Sequence, residues 1–379
     1  MISNMNNFCS ASAFLVIKSI KSDSEDEESS SSEGSSDEFC LNDGPIRSNH
    51  YFYSIIPEYC DEVFKSHFRI NKTTFMTLVQ EIGPHYERKS KRRPPIELER
   101  ALLFSIWLMA NPESFRGVTD RFRLSRGHGH EIFMKIVKIF YKLKDKFIYF
   151  PKQRSLLQEV EKFNDLRGVG SFPGVVGCVD GTHIAIPGPR RDNSYYNRKG
   201  THSLLLQAIC NSNLEFLDVY CGWPGSAHDA RVWENSPIKA LLDCDSSPLP
   251  TDYHLLGDAA YPLSIYLMVP FRDNGALTEQ QKKFNKKLSS MRIVIEQAYG
   301  HLFGRFRRLK LLDIEKIPYA KYYIMFACIL HNLCIRSKDM ITVTLPDVDL
   351  QGEDFHHIDR EIIGNNAINK RNEIMLSFN

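Results

Sequence analysis

The chain has 379 residues, 42% of them hydrophobic and 25% charged, with a formal net charge of +2. That length allows two or three domains with a sizeable core, and no apolar run reaches the roughly 18 to 20 residues of a membrane-spanning helix. Nine cysteines, odd in number and without a CxxC pair, argue against a disulfide scaffold and for a reducing compartment, the nucleus or the cytoplasm.

The acidic, Ser-rich stretch SDSEDEESSSSEGSSDEF (22–39) cannot bury enough apolar surface to fold, which predicts a disordered tail over 1–48. No basic residue precedes the apolar FCSASAFLVI (8–17) and an acidic tract follows it, a pattern that argues against a signal peptide. Residues 1–50 hold nine acids against Lys18, Lys21 and Arg47, a balance of −6 that leaves +8 for the rest. The segment 282–310 alone carries nine basic residues and one acid, Glu296. Such clustering is the footprint of a chain that meets a polyanion, with a solvated helix face as the plain alternative.

Residues 49–150 space their apolar side chains at three and four, which predicts an all-helical domain. Within it, the segment Glu113 to Phe122, the short RLS (123–125) and EIFMKIVKIFYKL (131–143) read as a helix-turn-helix-like pair. The glycines of RGHGH (126–130) stand where a recognition helix would begin, so a helical packing domain with no DNA role is the competing reading. The basic run ERKSKRRPP (87–95) adds positive charge nearby and contains a short candidate import signal.

From about 165 to 340 strands are followed by helices. GVVGCVDGTHIAIP, HSLLLQAICNS and LEFLDVYCGW read as three successive strands, ARVWENSPIKALLDC as a helix, YHLLGDAAYP and IYLMVPF as short strands. A long helix from about Glu279 to Arg308 and a buried helix over 318–337 close a mixed α/β domain, and 341–379 reads as an acidic, polar tail.

Three carboxylates stand out: Asp180 inside the first strand, Asp258 after the short apolar run before Ala-Tyr-Pro, and Glu296 in the basic helix. A lone ionised carboxylate in an apolar strand costs several kcal/mol without a compensating partner. Brought together the three acids would repel one another, and a pair of divalent cations would remove the conflict while clamping a phosphodiester. Each acid alone also has a structural reading, as a helix cap or, for Glu296, as a partner of Arg292 one turn earlier. His228 and Asp229 in SAHDAR either assist the active site or cap the helix that begins there, with capping the preferred reading. Cys328, His331 and Cys334 lack a fourth metal ligand and read as a buried helix face.

These blocks also carry a resemblance. VDGTHI (179–184), YYNRKGTHSLLLQAICN (195–211), GWPGSAHDARVWENS (222–236), GDAAYPL (257–263), RIVIEQAYGHLFGRFRRL (292–309) and ACILHN (327–332) resemble, in order, motifs of the PIF/Harbinger transposases and the nuclease derived from them, a branch of the DDE superfamily. The likeness spans 170–335 strongly and 60–145 more weakly. Ala259 and Ala260 depart from the family pattern beside Asp258.

The resemblance implies a ribonuclease-H-like mixed sheet with flanking helices, and an endonuclease that cuts DNA by a two-metal mechanism. It implies Asp180, Asp258 and Glu296 as the catalytic, metal-binding triad for Mg²⁺ or Mn²⁺, so that a cation rather than a side chain would be the partner of Asp180. A Myb/SANT-like DNA-binding protein is the implied partner and the nucleus the implied location. Phosphate contacts are expected from Arg198 and Lys199 beside Asn197, and from Lys282, Lys283, Lys286, Lys287, Arg292, Arg305, Arg307 and Arg308 in the basic segment. A domesticated, non-cutting DNA-associated or regulatory protein is the second reading. A phosphohydrolase of small substrates is a third, disfavoured by so long a basic surface.

Overall fold

The computed structural model describes residues 51–86, 96–152, 154–167, 172–189, 192–314, 316–342 and 364–378. The expected tail at 1–48 and the basic run 87–95 lie outside them. The chain divides into two compact units, Met1–Ile139 and Phe140–Asn379.

In the first unit every regular element among the described residues is helical: α1 (Asp61–Phe68), α2 (Lys72–Ile82), α3 (Leu98–Ala110), α4 (Phe115–Arg121) and α5 (Arg126–Lys142), which runs on into the second unit. Helix α3 is buried along its length, as expected of a helix apolar on all sides. Its Trp107 meets Phe68 and Phe122 edge-on, with ring centroids 5.4 and 6.5 Å away.

The stretch RGHGH forms the first turn of α5, and Ser125 caps it: the backbone N–H of His128 donates to Ser125 Oγ at 3.3 Å, the usual role of an N-terminal serine. A β-carbon at Gly129 would lie 2.4 Å from Thr119 Cγ2 and 3.0 Å from a Phe104 ring carbon. This glycine therefore lets α5 approach α4 and α3, a packing demand that periodicity does not reveal.

The second unit opens with α6 (Lys144–Phe147) and α7 (Arg154–Arg167), followed by a five-stranded mixed sheet. Strands β1 (Val175–Ala185), β2 (Ser203–Cys210) and β3 (Phe216–Pro224) form an antiparallel meander, while β4 (His254–Leu256) pairs parallel to β1 and β5 (Leu267–Met268) parallel to β4. The order is β3-β2-β1-β4-β5, a mixed sheet as the succession of strands predicts. Pairing of β1 with β4 ends at Cys178, and the next contact along that edge is a bridge between Ala185 and Leu311. Asp180 lies on the open edge between the two.

The expected helix over ARVWENSPIKALLDC is two: α8 (Asp229–Glu234) and α9 (Pro237–Asp243). Ser236 accepts a hydrogen bond from the backbone N–H of Lys239, and Pro237 occupies the first turn, a start signal that breaks the run. The long helix α10 (Glu279–Arg305) begins at a capping box between Thr278 and Gln281, and α11 (Ala320–Arg336) is buried over most of its length.

Residues His331 and Asn332 of ACILHN are braces. The Asn332 amide accepts the Phe216 backbone N–H at 2.8 Å and donates to the Phe216 and Phe147 carbonyls at 2.8 and 3.1 Å. Burial pushes His331 down to about 3, so the imidazole is neutral and donates Nε2–H to the Leu214 carbonyl at 2.7 Å.

The reading of 341–379 as an uninformative tail is corrected in part, since α12 (Asn365–Leu376) packs on α10. Beyond it Phe378 joins Phe172 and Phe284, with centroids 5.4 and 6.2 Å apart. Lys370 donates to the carbonyls of Thr251, Tyr253 and Ile265 at 2.6, 2.9 and 2.8 Å.

Candidate active site

Side chains alternate along β1, so Cys178 and Asp180 face one side and Gly181 the other. Helix α10 covers the Asp180 side: Cys178 Sγ donates to the Met291 carbonyl at 3.6 Å, and the Tyr299 hydroxyl donates to the Asp180 carbonyl at 2.8 Å. Arg292, Glu296 and Tyr299 are spaced four and three apart and so form one stripe of the helix, the stripe that meets β1.

The Arg292 Nη2 lies 3.4 Å from Asp180 Oδ1, with the two side chains 15% and 19% exposed. The strand carboxylate therefore has a side-chain partner, contrary to the expectation of a cation alone. Burial is the largest influence on Asp180; Arg292 opposes it, and Asp258 and Asp229 add to it, leaving the carboxyl pushed up to about 7. For Arg292, burial works against the charge, but Asp180, then Asp258, Cys178 and Glu296, outweigh it and raise its pKa. Asp180, Asp258 and Glu296 thus lie within electrostatic reach of one guanidinium.

Asp258 follows β4, at the C-terminal end of a strand parallel to β1. Its Oδ1 accepts the Ala260 backbone N–H at 2.9 Å, an Asx turn that aims the carboxylate with Ala259 and Ala260 in place.

Asp229, for which the sequence offers either a cap or an active-site role, lies within electrostatic reach of Asp180. It is the first residue of α8, and the preceding His228 makes no side-chain cap. A β-carbon on Gly181 would lie 2.2 Å from Asp229 Oδ1, so the glycine after Asp180 leaves room for a fourth carboxylate. Burial, then Asp229, Asp180 and Asp258, raise the pKa of Tyr261 well above its ordinary value, and its hydroxyl is buried without a hydrogen bond. The pairing of Gly181 with that HD dipeptide was the available signal, but it requires knowing that α8 folds over β1.

Among the described residues no three His, Cys, Asp or Glu side chains form a ready ligand set. The donors nonetheless suit a hard divalent cation: all are carboxylate oxygens, and Glu296 Oε2 is buried with no hydrogen-bond partner.

The expected phosphate contacts separate into two groups. Arg198, Lys199, Lys282, Lys283, Lys286 and Arg307 are exposed and Lys287 is half-buried. Lys282 pairs with Glu279 at 2.9 Å, Lys283 donates to the Phe378 carbonyl at 2.6 Å, and Lys287 lies 3.9 Å from the centre of the Phe378 ring. Three arginines are turned inward. Arg292 faces the acids, Arg308 is buried, and Arg305, 1% exposed, lies 3.4 Å from the buried Asp339 carboxylate and donates to its carbonyl. Burial makes Arg305 and Arg308 part of the fold, which corrects their placement on a phosphate-facing surface.

Residues 179–332 match the family described as DDE superfamily endonuclease. The chain is 27% identical to "Putative nuclease HARBI1" of Rattus norvegicus over 73% of its own length and 78% of that protein. The Homo sapiens protein of that name is likewise 27% identical, over 84% of this chain and 90% of its own. "Protein ALP1-like" of Arabidopsis thaliana is 25% identical, over 79% of this chain and 76% of its own. No solved structure matches significantly.

Proposed function

We propose, from the match of residues 179–332 to the DDE superfamily endonuclease family, that the chain is a metal-dependent DNA endonuclease of the Harbinger type with a ribonuclease-H-like core. The observation that carries this reading is that Asp180, on an open strand edge, feels the charges of Asp258 and Asp229, while Arg292 on the helix above feels Asp180, Asp258 and Glu296. Partly buried acids that feel one another's charge destabilise the fold unless positive charge meets them. A chain with no use for them would gain stability by losing them.

Asp180, Asp258 and Glu296, joined by Asp229, would hold Mg²⁺ or Mn²⁺. Such ions supply an activated water and charge stabilisation at the leaving oxygen of a phosphodiester. The rest is done by this chain's own residues. Tyr299 fixes the β1 backbone at Asp180, the Asx turn fixes Asp258, and Gly181 admits Asp229. Arg292 opposes the burial that raises the pKa of Asp180. Lys282, Lys283, Lys286, Lys287 and Arg307 supply the surface along which a DNA backbone would run. Nuclear location and a Myb/SANT-like partner belong to this same reading.

Incubation of supercoiled plasmid with purified full-length protein and Mn²⁺ tests the proposal. Nicking that disappears with chelator and in Asp180→Asn supports it. Persistent nicking in the variant would remove Asp180 from the site, and no nicking from a folded protein that binds DNA favours the non-cutting reading.

A further inference from the structure

The turn between β1 and β2 carries an exposed aromatic ring beside two cations, which packing alone does not require. Tyr196 is 52% exposed and is followed by the exposed Arg198 and Lys199. The turn is rigidly built. The buried Asn197 amide donates to Thr201 Oγ1 and Ser203 Oγ at 3.1 and 2.8 Å and accepts the backbone N–H groups of Lys199 and Thr201 at 2.9 and 3.2 Å. Gly200 closes the turn at φ +76°, and a β-carbon there would lie 3.4 Å from the Tyr196 hydroxyl. His202 meets the tyrosine ring edge-on at 5.4 Å.

The same hydrogen bonds tie this turn to the acids. Ser203 Oγ, held by Asn197, lies 2.9 Å from Nδ1 of His183, three residues after Asp180 on β1. The Gly225 and Ser226 N–H groups donate to the Ser203 and Ser194 carbonyls at 2.9 and 3.1 Å, only a few residues before Asp229.

We infer that this turn seats an unpaired nucleotide of the DNA substrate, with Tyr196 stacking on its base and Arg198 and Lys199 holding the adjoining phosphates. The inference rests on the nuclease reading of the neighbouring acids. In a paired duplex the base faces are covered by their neighbours, whereas an exposed ring offers a face and little else. Its natural counterpart is a base freed from the stack. A turn already fixed in shape loses little freedom on binding, so the stacking energy is retained as affinity.

The test is binding, read without cleavage. The full chain with Glu296→Gln is titrated with two duplexes, one fully paired and one carrying a single unpaired 2-aminopurine in a bulge. The bulged probe should bind about fivefold or more tightly than the paired one, a margin set by one base–aromatic stack, and its fluorescence should be quenched. Tyr196→Ala should remove both effects, and Tyr196→Trp should restore them. Arg198→Ala and Lys199→Ala should weaken both probes alike and flatten their salt dependence. Equal binding of the two probes, or a preference that survives Tyr196→Ala or is lost in Tyr196→Trp, overturns the inference. A bulge preference in a chain that never nicks plasmid would uphold the seat and sink the nuclease. Nicking without the preference would do the reverse.

Discussion

Arg292 and Asp180 face each other at 3.4 Å across the junction of α10 and β1. The pair places a fixed positive charge among the carboxylates that the nuclease reading assigns to metal. Removing one partner of a buried ion pair leaves the other charge uncompensated. Arg292→Met should therefore lower the melting temperature in chelator by the equivalent of roughly 2 to 4 kcal/mol, and Mn²⁺ should raise it by more in the variant than in the wild type. Calorimetry with and without Mn²⁺ checks this. Equal metal responses would mean that Arg292 does not compete for the acids.

Glu296→Gln changes one oxygen of a side chain whose Oε2 is buried without a partner. Cleavage should fall below detection while melting temperature and DNA affinity stay close to wild type. Retained cleavage would remove Glu296 from the site.

Gly181→Ala places a β-carbon against Asp229. The expected outcome is a loss of cleavage comparable to that of Asp229→Asn, together with a lower melting temperature that Asp229→Asn does not share. Cleavage at the wild-type rate in Gly181→Ala would show that the Asp229 carboxylate can move aside without consequence.

Much of this arrangement was legible in the sequence because it rests on local signals. The apolar run around Asp180 marked β1, the Ser-Pro pair could have marked the break between α8 and α9, and the basic, capped run marked α10. The rest depended on contacts between distant segments. The choice between cap and site for Asp229 turns on its approach to Gly181, and the packing role of Gly129 on its contact with Thr119 and Phe104. Arg305 counts as surface charge in any tally of the basic helix, yet it turns inward to Asp339. Phe378 lies in a polar segment and reveals its role only by packing on Phe172 and Phe284.

The basic helix should therefore divide functionally. Alanine at Lys282, Lys283, Lys286 and Lys287 together should weaken DNA binding and flatten its dependence on salt. Arg305→Ala should leave that slope unchanged in the folded fraction and cost about 3 to 5 kcal/mol of stability, because Asp339 is left buried and charged. Binding titrations at several salt concentrations, with a melting curve for each variant, separate the two effects.

Burial pushes Asp218 on β3 up to about 6, with Lys144 opposing, and its Oδ2 has no hydrogen-bond partner. The folded state then holds a proton that the unfolded chain releases between about pH 4 and pH 6, so stability falls as pH rises through that window. Asp218→Asn should melt higher than wild type at pH 7.5, by the equivalent of roughly 1 to 3 kcal/mol, with the difference gone below about pH 4. A constant difference across pH would mean that the aspartate is ionised without penalty.

The most direct test of the account is single-turnover cleavage in Mn²⁺ by Asp180→Asn, Asp229→Asn, Asp258→Asn and Glu296→Gln side by side, with the double variant Asp180→Asn/Asp229→Asn. Groups that act as one unit lose nearly all activity on the first removal, so every single variant should fall as far as the double one. Graded, additive losses, or full activity in any one of the four, would contradict a shared carboxylate site.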